Sequence, residues 1–137
     1  MTTFAEVFAG VYASTAAHSQ HQDAGNTDGI MALYTPDAVL VVPGMGTFQG
    51  ADAIRATWDA WKPRGLQRHI PFNIVITDWN DDEARVSTDV IQLVQPEKNG
   101  TWTAQMAARY LDVFRPVDGQ WLFSRREDLF IGFEVPS

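Results

Sequence analysis

The spacing of apolar residues changes once along this chain, from helical to alternating, and that change divides it in two. From the capping candidates Thr2 and Thr3 to about Gln22 the pattern is helical. On a wheel of about 100° per residue, Ala5, Ala9, Tyr12, Ala16 and Ser19 fall within about 40° of Asp23. Phe4, Phe8 and Val11 extend that face, and Ser14, His18 and His21 fall on the far side, which predicts solvent contact for them. An unbroken helix therefore points the Asp23 carboxylate inward. Asp23-Ala24-Gly25-Asn26 reads as a turn, with Asn26 or Thr27 capping a short helix through Tyr34. Thr35-Pro36-Asp37 ends that helix, because proline cannot continue it.

Ala38 to Val42 is a short apolar run bounded by Pro43-Gly44, which predicts a buried strand, and Met45 to Gln49 a brief return strand. A third helix is expected from Ala53 to about Trp61, with Ile54, Trp58 and Trp61 on one buried face and Pro63 and Gly65 beyond its end. After that the pattern becomes β. Leu66–Trp79, Ala84–Gln95, Thr101–Arg115 and Gln120–Phe133 are four long segments joined by Asn80-Asp81-Asp82-Glu83, Asn99-Gly100 and Asp118-Gly119. Connections this short imply antiparallel neighbours. The expected class is α+β, helices first and then an antiparallel meander, in one domain spanning 1–137. Strands this long should curl and carry bulges, leaving a deep pocket on the side closed by the helices.

These residues carry a resemblance. Asp23-Ala24-Gly25-Asn26 followed by Ala32-Leu33-Tyr34-Thr35-Pro36-Asp37-Ala38-Val39 resembles the opening of the SnoaL-like branch of the NTF2-like superfamily. Pro43-Gly44, Phe48-Gln49-Gly50, Ala53-Ile54-Arg55 and Trp58 continue it. Arg68-His69 with Asn73 resembles the branch's histidine strand, and Arg109 to Phe114, Asp118 to Trp121 and Arg125-Arg126 its last two strands. The resemblance implies a cone-shaped barrel, helices packed on a strongly curved, mainly antiparallel sheet around a pocket, and a homodimer across the open sheet face. In that superfamily, scytalone dehydratase and hexachlorocyclohexane dehydrochlorinase use an Asp–His pair, whose positions here are Asp23 and His69. Ketosteroid isomerase-like members place their base just before the Pro-Gly, where this chain has Val42. Epoxide-opening members need an Asp-Arg-Asp set; Asp112 and Arg109 share a strand, without an evident third member.

Composition narrows the partners. A net charge of −7 repels phosphate backbones and anionic surfaces, so neither nucleic acid nor membrane is an expected partner. There is no cysteine, which removes disulfides, thiolate metal sites and cysteine nucleophiles. No apolar run reaches the length of a membrane span and the opening residues do not read as a signal peptide, so the expectation is a cytoplasmic protein. Five Trp, eight Phe and three Tyr suit either an aromatic-lined pocket or a core of large side chains.

The candidate chemistry is proton transfer without a cofactor. An imidazole at His69 can accept a proton near neutral pH, and a carboxylate on its other nitrogen fixes the tautomer. Taken alone, Asp23 could be a turn residue and His69 a strand histidine bonded to a neighbour. Paired, they suit loss of water, another β-leaving group or formaldehyde from a small apolar or aromatic substrate. Asn73, on the His69 face of a regular strand, could polarise an oxygen or be a satisfied core amide. Tyr12 could orient a phenol or be plain core. Tyr34, Trp58, Met106 and Phe123 are candidate apolar walls or core. Arg109 could hold an anionic or phenolic oxygen, or pair with Asp89 or Asp112, the pairing being preferred. His18 and His21 lack a third metal ligand, and Arg125, Arg126, Glu127 and Asp128 read as a solvated or interface charge cluster. Competing functions are a non-catalytic ligand-binding or assembly domain, and a polyketide-type cyclase or isomerase working from Asp89 or Asp112.

Overall fold

The computed structural model describes residues 1–131. Three helices, α1 (Phe4–Ala24), α2 (Thr27–Met31) and α3 (Ala51–Ala60), pack on strands β1 (Tyr34–Val42), β2 (Gly46–Gln49), β3 (Leu66–Trp79), β4 (Ala84–Gln95), β5 (Thr103–Val117) and β6 (Gln120–Phe130). The strands form one sheet in the order β2-β1-β6-β5-β4-β3. β3 to β6 are the expected antiparallel meander, and β1 joins it by pairing parallel with β6. The sheet is strongly curved and, among the described residues, does not close. The part of the last expected strand from Gly132 to Phe133 lies outside the described residues.

Local signals explain the ends of α1. Thr3 accepts from the Glu6 amide while the Glu6 carboxylate accepts from the Thr3 amide at 2.8 Å, a reciprocal capping box. Gly25 ends the helix at φ 66, a left-handed conformation that glycine adopts without a Cβ clash. That fixed stop sets the direction of Asp23, two residues earlier.

The face that α1 buries differs from the wheel's. Val7, Val11, Ser14, Thr15, His18 and Ser19 are inside, and Phe4, Phe8 and Tyr12 are exposed. Two of the polar residues inside, Ser14 and His18, find partners there. The Ser14 hydroxyl donates to the Trp121 carbonyl at 2.5 Å, and His18 Nε2 lies 2.9 Å from the Tyr34 hydroxyl. Gly10 lets the helix come this close, since a Cβ there would stand 2.2 Å from the Trp121 ring. Tyr34, expected to end α2, instead opens β1: it pairs with Phe123, whose amide donates to the Leu33 carbonyl at 2.8 Å. Pro36 is tolerated where the β1–β6 register breaks, between Tyr34 and Val39.

A second correction concerns Arg126. It is 2% exposed rather than solvated, and donates two hydrogen bonds, at 2.9 and 3.0 Å, to the Asp112 carboxylate. Its guanidinium also stacks 3.8 Å from the Tyr110 ring centre and 4.4 Å from that of Phe123. Alternation along β6 places Arg126, Asp128 and Phe130 on one face, the concave one, and Arg125 and Glu127 on the other.

Arg126→Met is expected to destabilise the fold by about 3–5 kcal/mol at neutral pH, because it strands Asp112 as a buried unpaired charge. Burial already pushes the Asp112 carboxyl up against the pull of Arg126, so the variant favours its protonated form. Stability lost by Arg126→Met should therefore grow as pH rises and shrink toward acid. Urea titrations across pH check this, and adding Asp112→Leu should recover most of the loss.

Candidate functional site

The carboxylate of Asp23 meets the inner edge of β3 at His69. His69 Nδ1 lies 2.7 Å from Asp23 Oδ1, and the His69 backbone N–H donates to Asp23 Oδ2 at 2.8 Å. Gln67, on the same face two residues earlier, donates to Asp23 Oδ1 at 3.3 Å. Both side chains are withdrawn from water, 4% exposed for His69 and 8% for Asp23. Asp23 is not central on the buried face of α1. It stands about a third of a turn away from His18, toward β3.

The Asp23 carboxylate can only accept, so Nδ1 carries the hydrogen between them. In the neutral ring Nε2 is then the acceptor, and Gln22 Nε2, 3.2 Å away, is placed to donate to it. Asp23 thus selects the tautomer whose free lone pair points away from it.

That lone pair points to a cavity of about 180 Å³ inside the cone. Gln22, Trp58, Trp61, Met106, Tyr110 and Asp128 are among the residues that line it. A larger open cleft of about 1030 Å³ lies on the Asp23 side, along edge strand β3. The smaller space is the better candidate for chemistry. His69 Nε2 faces it with Gln22, and aromatic walls keep its dielectric low.

The remaining candidates divide. Trp58 and Met106 line the cavity. Tyr34 and Phe123 are core: Tyr34 holds His18, and Phe123 is fully buried against Phe114. Tyr12 is 56% exposed on the outer side of α1. Asn73 leaves the His69 face because β3 bulges between Phe72 and Val75; at φ 49 it donates instead to Asp89 at 3.1 Å. Arg109 pairs with Asp89 at 2.8 Å on the convex face, which is the preferred pairing. His18, expected in solvent, is fully buried, and burial holds its imidazole well below the usual histidine range. Among the described residues no group of three acidic or histidine side chains could hold a metal ion.

Asp128 is the residue that sequence reasoning missed. It lines the cavity, and its Oδ1 is buried with no hydrogen-bond partner among the described residues. Burial, opposed by Arg126, pushes its carboxyl up to about 7. The available signal was alternation back from Phe130, obscured by four consecutive charged residues. Asp112, Arg126 and Asp128 make the carboxylate–guanidinium–carboxylate grouping sought around Arg109. Asp112 is held by Arg126 and does not line the cavity, so among the described residues one carboxyl without a salt-bridge partner lines it, not two.

A curved α+β cone whose helices close an inward cavity defines the NTF2-like class. The SnoaL-like domain family matches residues 6–127, and the chain belongs to it. No curated protein matches it in sequence. Among solved structures it is similar to a candidate scytalone dehydratase of Novosphingobium aromaticivorans, 23% identical over 95% of this chain and 87% of that one, with a TM-score of 0.81. ActVI-ORFA of Streptomyces coelicolor is 17% identical over 93% and 98%, TM-score 0.83. Aln2 of a Streptomyces species is 18% identical over 95% and 94%, TM-score 0.84. At these identities the likeness is one of fold. No helix among the described residues is long and apolar enough to cross a membrane.

Asp23→Ala should cost about 1–3 kcal/mol, since it leaves buried donors of His69 and Gln67 without their acceptor. Chemical denaturation at neutral pH measures this.

Proposed function

We propose that this protein is a cofactor-independent lyase, with His69 as the general base and Asp23 as the residue that positions it. One observation carries the reading: the Asp23–His69 bond leaves the basic Nε2 facing an aromatic-walled cavity. A substrate displaces the Gln22 amide from Nε2 and presents an acidic C–H in its place. His69 takes that proton, the electron pair moves toward an adjacent activating oxygen, and a β-hydroxyl departs with the proton from the imidazolium as water. Loss of formaldehyde from a hydroxymethyl-bearing aromatic needs the same proton shuttle, applied to O–H. Asp23 stabilises the imidazolium in between and does not itself change protonation.

The cavity is smaller than the about 300–1,000 Å³ of drug-sized sites, so the substrate is small, apolar or aromatic and uncharged. The candidate scytalone dehydratase among the similar folds agrees with elimination chemistry. A cyclase or isomerase working from Asp89 or Asp112 is disfavoured, because Arg109 and Arg126 occupy those carboxylates. Soluble action in the cytoplasm, and a homodimer with the convex sheet face covered, complete the proposal. The alternative is a ligand-binding domain without chemistry.

The test is turnover of a panel of small β-hydroxy carbonyl and hydroxymethyl-aromatic compounds, followed by loss of water or formaldehyde. His69→Ala should lower kcat on a responding compound by about 10²–10⁴-fold with the fold intact by circular dichroism. Asp23→Asn should lower kcat while leaving KM nearly unchanged, the signature of an interaction made in the transition state. Undiminished turnover by folded His69→Ala would refute the reading.

A further inference from the structure

The Asp23–His69 pair accounts for one wall of the cavity. The far wall holds a carboxyl that it leaves unused. Asp128 lines the cavity, and its Oδ1 is buried with no hydrogen-bond partner among the described residues, whereas the Trp58 indole N–H is turned toward Tyr34. Buried polar atoms are almost always satisfied, and those left over at a cavity point to what it receives. Asp128 comes from β6 and His69 from β3, three strands away in the sheet order, and the curl of the sheet puts them on one space.

The surroundings of Asp128 decide its form. Arg126 precedes it on the same face, Asp112 lies behind Arg126, and Tyr110 is its register partner on β5. Among the described residues the titratable group across the cavity is His69; α1, α3, β1 and β4 contribute only Gln22, Trp58, Val42 and Gln92 there. Arg126 is spent on Asp112 through both of its hydrogen bonds to that carboxylate, so it pairs poorly with a second one. Leaving Asp128 ionised would put two carboxylates on one guanidinium in a site walled by aromatic side chains.

We infer that Asp128 is a neutral carboxylic acid at rest and donates its hydrogen to an uncharged carbonyl or phenolic oxygen of the substrate. This deepens the lyase reading and rests on it for the chemical step. His69 Nε2 removes the C–H proton, and the electron pair moves through the conjugated system to the oxygen, which takes or shares the Asp128 hydrogen as an enol. When the enol collapses, the β-C–O bond breaks, the departing hydroxyl receives the imidazolium proton as water, and the enol hydrogen returns to Asp128. Both residues end as they began. The substrate class is a small uncharged enone, aryl ketone or phenol; an oxygen that is already anionic gains less from a single hydrogen bond donated beside Asp112.

Three measurements on the full protein test this, none needing turnover. In infrared difference spectra of wild type against Asp128→Asn, a protonated-carboxyl band should be present below the carboxyl's value of about 7 and vanish above it. Its absence at every pH would overturn the inference. Since the folded value is raised from 3.8, the folded state holds this proton more tightly; wild type should lose stability relative to Asp128→Asn as pH rises from 3.8 through about 7. A flat difference would contradict it. With 2-naphthol as the probe, Asp128→Leu should weaken binding by about three- to tenfold, one hydrogen bond's worth, and Asp128→Asn, which keeps a neutral donor, should hold affinity. Equal affinity of wild type and folded Asp128→Leu across this pH range would count against it. The His69→Ala variant should retain the infrared band and the binding profile, so failure here and failure of the lyase reading are told apart.

Discussion

Everything at this site depends on one carboxylate receiving three hydrogens. Asp23 takes the backbone N–H and the Nδ1–H of His69 and an amide hydrogen of Gln67. The backbone contact fixes the last turn of α1 to β3, which is an edge strand of the sheet among the described residues. The side-chain contact fixes the imidazole's tautomer. A structural role and a chemical role therefore fall on the same residue, and the helix stop at Gly25 makes both possible by setting where Asp23 points.

The cavity is asymmetric in its polarity. Near β3 it offers a ring nitrogen of His69 beside Gln22, and near β6 the half-buried carboxyl of Asp128; Trp61 and Met106 also line it. Arg126 organises the β6 side from behind. By taking both oxygens of Asp112 it satisfies one buried charge and leaves Asp128 with burial as its dominant influence. Asp112, directly opposite Arg126 on β5, takes both of its hydrogen bonds, while Asp128, two positions along β6, is left for the proposed donor role. A small reactant that is flat and uncharged fits between such walls at low desolvation cost.

Much of this was legible in the sequence. The long alternating segments and tight turns gave the meander, and the pattern around Asp23 and His69 marked two residues that do meet. What was not legible has physical reasons. The buried face of α1 is half polar, since Ser14 and His18 find the Trp121 carbonyl and the Tyr34 hydroxyl, and a wheel that ranks hydrophobicity turns that face outward. Asn73 left the His69 face because of a bulge, which breaks the period-two rule locally. Arg126 and Asp128 looked solvated because charge was weighed and alternation was not. The parallel pairing of β1 with β6 joins segments far apart in the chain, and no local pattern encodes it.

The chemistry turns on Asp23 holding the hydrogen on His69 Nδ1 and leaving Nε2 as the basic atom at the cavity. Nitrogen-15 NMR of histidine-labelled protein reads this directly, with His69→Ala assigning the signals. Neutral His69 should carry its hydrogen on Nδ1, with Nε2 showing the shift of an unprotonated ring nitrogen, and Asp23→Asn should disturb this preference. A neutral His69 with its hydrogen on Nε2 would contradict it.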